Sequence, residues 1–135
     1  MAEDNKFTLR IVTPDRVFYE DDAVNMLEFN TTEGEIGIYK NHIPLTCIVD
    51  PGILTITEPE GPKNAALHAG FAQIMPDKVT ILAELIEWPA EIDRERAEKA
   101  KERATERLAS KAPDIDELRA EVALKKALCR LNSLG

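Results

Sequence analysis

Glu87-Trp88-Pro89-Ala90-Glu91-Ile92-Asp93-Arg94-Glu95-Arg96-Ala97 is the stretch on which the reading of the fold turns. Every aromatic residue lies at or before Trp88, and after it no glycine occurs until Gly135. Upstream, branched and aromatic side chains alternate between proline and glycine turns. Downstream, alanine, leucine and mixed charges recur at helical spacing. Two structural patterns meet here, which predicts two domains, residues 1–88 and 89–135.

Working upstream, Phe7-Thr8-Leu9-Arg10-Ile11-Val12 alternates with the period-two pattern of a half-buried strand. Thr13-Pro14-Asp15 signals a turn, and Val17-Phe18-Tyr19 resumes extended structure. Further strands are predicted at Ala23–Phe29, Ile53–Thr57, Ala65–His68, Phe71–Met75 and Val79–Ala83. Pro59-Glu60-Gly61-Pro62 excludes helix, and Met75-Pro76-Asp77-Lys78 places proline where a type I turn wants it. Short strands punctuated in this way predict an antiparallel β-sandwich or flattened barrel.

Downstream, Pro89 and Pro113 bracket a helix predicted from Ile92 to about Ser110, with Ala97, Ala100, Ala104 and Leu108 on one face. Asp114 and Glu117 predict the cap of a second helix, whose stripe is Ala120, Leu124, Ala127, Leu131 and Leu134. A turn near Lys111–Pro113 makes the pair an antiparallel two-helix hairpin. The fold class is therefore α+β in two parts, a sandwich followed by a hairpin. An alanine seam contributes far less than the ~1.5–3 kcal/mol of each buried leucine. Its own contacts leave two readings open, a fixed arm packed on the sandwich or one that opens and docks elsewhere.

Charge is unevenly spread over the 135 residues, whose formal net charge is −8. Residues 1–88 carry 15 acidic and 6 basic side chains, whereas residues 89–135 carry 10 and 11. From Leu118 onward Arg119, Lys125, Lys126 and Arg130 face one acid, Glu121. An acidic body with a basic tip argues against a nucleic-acid partner and suits docking onto an acidic protein surface or a polyphosphate. Cys47 and Cys129 lie in apolar sequence, far apart, without disulfide or metal-ligand spacing. They read as small buried hydrophobes in a reducing compartment. The acidic start, Met1-Ala2-Glu3-Asp4-Asn5, does not read as a targeting peptide. No apolar run approaches the ~20 residues of a membrane span, so a cytosolic or membrane-peripheral protein is expected.

Two clusters are candidates for function. Between Glu33 and Leu45, paired glycines, a short apolar strand and a polar loop present Glu35 and His42 near a rim. A catalytic pair there would need a nucleophile, and no Ser or Cys nucleophile motif accompanies it. On the hairpin, reflection about the turn sets Arg96 opposite Arg130, with Lys126 one turn along and Arg103 sharing the face of Arg96. Four cations converging on closure would disfavour it unless an anion sits among them. Solvated charges paired within their own helix, such as Arg103 with Glu106, are the alternative.

Gly34-Glu35-Ile36-Gly37-Ile38-Tyr39-Lys40-Asn41-His42-Ile43-Pro44-Leu45, followed by Asp50-Pro51-Gly52-Ile53-Leu54, resembles the signature of the epsilon subunit of bacterial F-type ATP synthases. Ala69-Gly70-Phe71-Ala72 and Val79-Thr80-Ile81-Leu82-Ala83 fit the same family, and the likeness runs over essentially the whole chain. The resemblance implies a non-catalytic central-stalk subunit whose sandwich grips the gamma subunit and the membrane c-ring, with Glu35 and His42 as contact residues. It implies a hairpin that brakes ATP hydrolysis by meeting the catalytic beta subunit, on the cytoplasmic face of the membrane. Several family members bind regulatory ATP through I/L-D-x-x-R-A, which Ile92-Asp93-Arg94-Glu95-Arg96-Ala97 matches. By that resemblance Glu87, Ile92, Asp93 and Ala97 face adenine, and Arg96, Arg103, Lys126 and Arg130 surround the phosphates. Lys126 departs from the arginine usual at its position, keeping the charge but losing the planar fork. A free-standing nucleotide-sensing or adaptor module of the same fold, and a small hydrolase using His42, are the competing functions.

Overall fold

A computed structural model describes residues 5–110 and 116–134. Eight strands come first: β1 (Phe7–Val12), β2 (Val17–Val24), β3 (Met26–Thr31), β4 (Gly34–Ile38), β5 (Leu45–Val49), β6 (Gly52–Glu58), β7 (Gly61–Ile74) and β8 (Lys78–Glu87). A single 3-10 turn, Pro89–Glu91, leads to α1 (Arg94–Ser110), and α2 (Glu117–Ser133) follows. The strands form one ladder in the order β2-β1-β8-β7-β5-β3-β4. Strand β6 pairs with both β3 and β7, folding the ladder over into a sandwich. Most pairings are antiparallel as expected, but β1 and β8 run parallel, Thr8 opposite Lys78 through Val12 opposite Leu82.

The alternation expected of β1 is realised, with Phe7, Leu9 and Ile11 buried. They meet Leu27, Phe29, Ile38, Leu54, Ile56, Ile74 and Ile81 in one core. Three expectations need correction. The single strand predicted at Ala23–Phe29 is broken between Val24 and Met26, where the Asn25 amide donates to the Thr57 carbonyl at 2.8 Å instead of pairing within β2. The two strands predicted at Ala65–His68 and Phe71–Met75 are one, β7, bent by a bulge at His68–Gly70. Strand β5 adds an element that the sequence does not predict, because Leu45 and Ile48, three apart and so on opposite faces, are both apolar and both exposed and leave no alternating signal.

The bulge in β7 decides where function sits. Before it, Ala65 and Leu67 face the sandwich core, while Ala66 and His68 are buried on the other face. A Cβ on Gly70 would lie 2.3 Å from the Leu82 carbonyl oxygen, so only glycine permits this close crossing. The outer face beside it is covered by α2, which packs on β6 and β7, while α1 packs on α2. The helix seam is alanine, with Ala97, Ala104, Ala120 and Ala127 all buried. On the free side of the sheet Ile48, Phe71 and Leu82 lie in register across β5, β7 and β8, each exposed, and Val12 continues the row on β1.

Helix α1 begins at Arg94 rather than Ile92, because Asp93 is its cap: Asp93 Oδ1 accepts from the Arg96 amide at 3.2 Å and its carbonyl from the Ala97 amide at 3.0 Å. For α2 the observed cap is Asp116, whose Oδ1 accepts from the Arg119 amide at 3.0 Å, and Glu117 is the first helical residue. The predicted turn at Lys111–Pro113 and the Asp114 cap lie outside the described residues.

Candidate functional site

The stretch joining the two parts is tied down on its sandwich side. Trp88 stacks on Phe18 with ring centroids 4.4 Å apart and meets Tyr19 edge-on at 6.3 Å. Glu91 accepts from the Trp88 amide at 2.9 Å, and the Arg16 guanidinium donates to both its oxygens at 3.0 and 2.9 Å. The Trp88 amide foremost, aided by the hydrogen bond and charge of Arg16, holds the Glu91 carboxyl below its ordinary range against the opposing effect of burial. The anchored chain therefore ends at Glu91. Only Ile92 and Asp93 separate it from α1.

A cleft of about 330 Å³ opens at that junction, lined by Glu87, Glu91, Ile92, Asp93, Arg96, Ala97, Ala100, Arg103 and Arg130. It gathers seven of the eight residues expected around a nucleotide; Lys126 does not line it. β8 supplies Glu87 at its last position, the cap and first turns of α1 supply Asp93, Arg96 and Ala97, and α2 supplies Arg130. Arg96 and Arg103 are seven residues apart, two turns of one helix face. Among the described residues no carboxylate lies within ion-pair distance of either, so the predicted alternative, Arg103 paired with Glu106, is not formed. The small side chain of Ala97, buried in the helix seam, leaves the cleft floor open.

One contact was not anticipated. Arg130 Nε donates to Glu87 Oε1 at 2.8 Å, joining a residue expected at adenine to one expected at phosphate. The same oxygen accepts from His68 Nε2 at 2.9 Å. Against a carboxylate oxygen Nε2 is the donor, and Nδ1 is buried without a partner among the described residues. Burial lowers the His68 pKa most; the Glu87 bond opposes that, and the charges of Arg130 and Lys126 reinforce it. Sequence reading passed over His68 because Ala65-Ala66-Leu67-His68 looks like strand core, and the bulge that turns it toward α2 has only Gly70 as its mark. Cys129 closes the seam, its Sγ donating to the Gly52 and Leu67 carbonyls at 3.2 and 3.5 Å. Burial pushes its thiol up to about 11. Cys47, expected to be buried, is only half-buried.

Glu35 and His42 do not share a rim. Glu35 faces a second cleft together with Gly52, Lys125 and Asn132, beside α2. His42 lies beyond the other end of β4, in the loop whose Asn41 amide donates to the Pro76 carbonyl at the turn before β8. Its Nδ1 sits 2.7 Å from the Ile43 carbonyl. The two are separated by the length of β4, which removes the catalytic His–Glu pairing. Among the described residues no group of three or more His, Cys, Asp or Glu side chains could hold a metal ion. Among them, too, no helix is long and apolar enough to cross a membrane.

A β-sandwich carrying a packed two-helix hairpin, with an arginine-lined cleft where the two join, defines the class of two-part α+β protein to which the chain belongs. The chain belongs to the delta/epsilon chain family of ATP synthases: the family's β-sandwich domain matches residues 6–89 and its long α-helix domain residues 90–135. It is 46% identical over 129 residues to the ATP synthase epsilon chain of Caldanaerobacter subterraneus, covering 95% of this chain and 93% of that one. The epsilon chain of Halalkalibacterium halodurans is 44% identical, with 94% and 96% covered. Among solved structures, a chain of the Euglena gracilis mitochondrial ATP synthase (OSCP/F1/c-ring) superposes with a TM-score of 0.85 at 25% identity, covering 97% of this chain and 82% of that chain. A chain of the Tetrahymena thermophila mitochondrial central stalk and c-ring shares the fold, with a TM-score of 0.59 at 16% identity over 96% and 93% of the two chains. The family resemblance read from the glycine-rich segment Gly34–Leu45 and its continuation over the chain is thereby met.

Proposed function

We propose that this chain is the epsilon subunit in the central stalk of an F-type ATP synthase, peripheral to the membrane on its cytoplasmic face. Its sandwich joins the gamma subunit to the c-ring and its hairpin is a releasable brake on ATP hydrolysis. The division of labour follows residues 1–88 and 89–135. The exposed row of Ile48, Phe71 and Leu82 suits an apolar partner such as gamma. The loop holding His42, with Tyr39 and Ile43 exposed beside it, suits the ring. Glu35, exposed at the start of β4 on the side of the cleft beside α2, lies away from that loop and fits the role less well.

The arginine-lined cleft at the junction is the observation that carries the regulatory reading. Arg96, Arg103 and Arg130 offer charge-assisted donors to a polyphosphate, and Ile92, Asp93 and Ala97 supply an apolar wall and an acceptor for adenine. ATP bound there would touch the sandwich and both helices and hold the arm down. Lys126, one turn before Arg130, would reach the outermost phosphate only after moving its stem. With the chain pinned at Glu91, Ile92 and Asp93 are the hinge. Once freed, α2 would carry Arg119, Lys125, Lys126 and Arg130 toward an acidic segment of the beta subunit. Removing the residues after Ile92 and measuring ATP hydrolysis by the assembled complex tests the brake. Hydrolysis should rise; an unchanged rate would count against inhibition by this chain.

A further inference from the structure

His68 lies between the sandwich and α2, 1% exposed, on an oxygen that Arg130 also uses. Its position is set by the β7 bulge, and its cover is α2 itself. We propose that His68 is both a positioning residue of this seam and its proton switch: neutral, it holds Glu87 for Arg130 and keeps α2 seated; protonated, it drives α2 off the sandwich.

The groups around the ring explain both halves. From β8, Glu87 accepts the Nε2 proton and is fixed where Arg130 Nε meets the same oxygen. From α2, Arg130 and Lys126 place two positive charges near the imidazole, each opposing a third. Cys129, also on α2, remains a neutral thiol. A proton added at Nδ1 would create a buried N–H with no acceptor among the described residues. Releasing α2 relieves all of these at once, because water then reaches the ring and the two cations depart.

The sign of the linkage follows. In the docked state His68 is held below its ordinary 6.5, chiefly by burial. In the released state burial and the two α2 cations are gone while Glu87 stays beside the ring on β8, so its pKa lies above the docked one. Release therefore takes up a proton. The docked state is favoured fully above the released-state pKa and progressively less as pH falls through it, by about tenfold per pH unit at most for one proton. Acidification would free the brake arm.

The inference rests on α2 being a releasable arm but not on nucleotide binding, so nucleotide is left out of the test. Cys129 is the reporter, in the full chain carrying Cys47→Ser. The rate of its reaction with a maleimide is divided into that of the urea-unfolded chain at the same pH, from about pH 5.5 to about pH 8, across the histidine range. Protection should fall with acid in the parent and stay level in His68→Gln, which retains a donor at the ε position but cannot titrate. A level parent profile, or the same slope in His68→Gln, would overturn the switch. If His68→Gln fails to fold, NMR titration of the His68 ring decides: a midpoint at or above that of an unfolded-chain histidine would overturn it. Protection equal to that of global unfolding at every pH would overturn the releasable arm itself, and with it the brake.

Discussion

Consider the bond between Arg130 and Glu87, the one charged hydrogen bond found between α2 and the sandwich among the described residues. The two side chains are 28% and 20% exposed and meet at 2.8 Å. A charge-assisted bond of this kind contributes about 1.5–3 kcal/mol. Partial exposure favours the lower end, about 1.5 kcal/mol, or roughly tenfold in the docking equilibrium. Arg130→Met keeps most of the apolar stem and removes the guanidinium; Glu87→Gln removes the charge with little change in shape. Each alone should lower the Cys129 protection factor about tenfold at neutral pH. The double variant should be little worse than either single one, since the second change removes a group already without its partner. Effects that simply add, within about 0.5 kcal/mol, would refute the coupling. That result would leave the alanine seam and the Cys129 contacts as what seats α2.

Other expectations are briefer. Arg96→Ala should weaken ATP binding by about ten- to a hundredfold in calorimetry. Lys126→Arg should tighten it, because the fork restores a bidentate donor that lysine lacks. Gly70→Ala should destabilise the sandwich by about 1–3 kcal/mol, since its Cβ would press on the Leu82 carbonyl oxygen at 2.3 Å. That should appear as a melting temperature lower by several degrees. Ala127→Leu, at a fully buried seam position, should open the hairpin and raise Cys129 reactivity while leaving the β circular dichroism signal intact.

Legibility followed physical locality. β1 was read to the residue because its alternation is a one-strand property of burial on one face. The change of pattern at Trp88 was visible because aromatic cores and alanine seams need different residues. What escaped was non-local. Parallel pairing of β1 with β8 joins residues about seventy positions apart and leaves no mark in either strand. The predicted α1 start, Ile92, lies two residues ahead of the observed one because Ile92 is apolar and the capping role of Asp93 depends on the local backbone. Of the site, the cleft-lining arginines and Glu87 were accessible through the motif. His68 was not, since its burial comes from a helix sixty residues later and its orientation from a bulge. Glu35 and His42 sit close in sequence, yet a strand separates its two ends as effectively as it joins them.

The central claim is that the junction cleft binds ATP and thereby holds the hairpin against the sandwich. Titrating ATP into the full chain while following both heat and Cys129 protection tests it directly. A saturable one-to-one isotherm, with protection rising along the same curve and both signals weakened in Arg96→Ala, is the predicted result. Binding without any change in protection would contradict the latch, and no saturable binding at millimolar ATP would contradict the site.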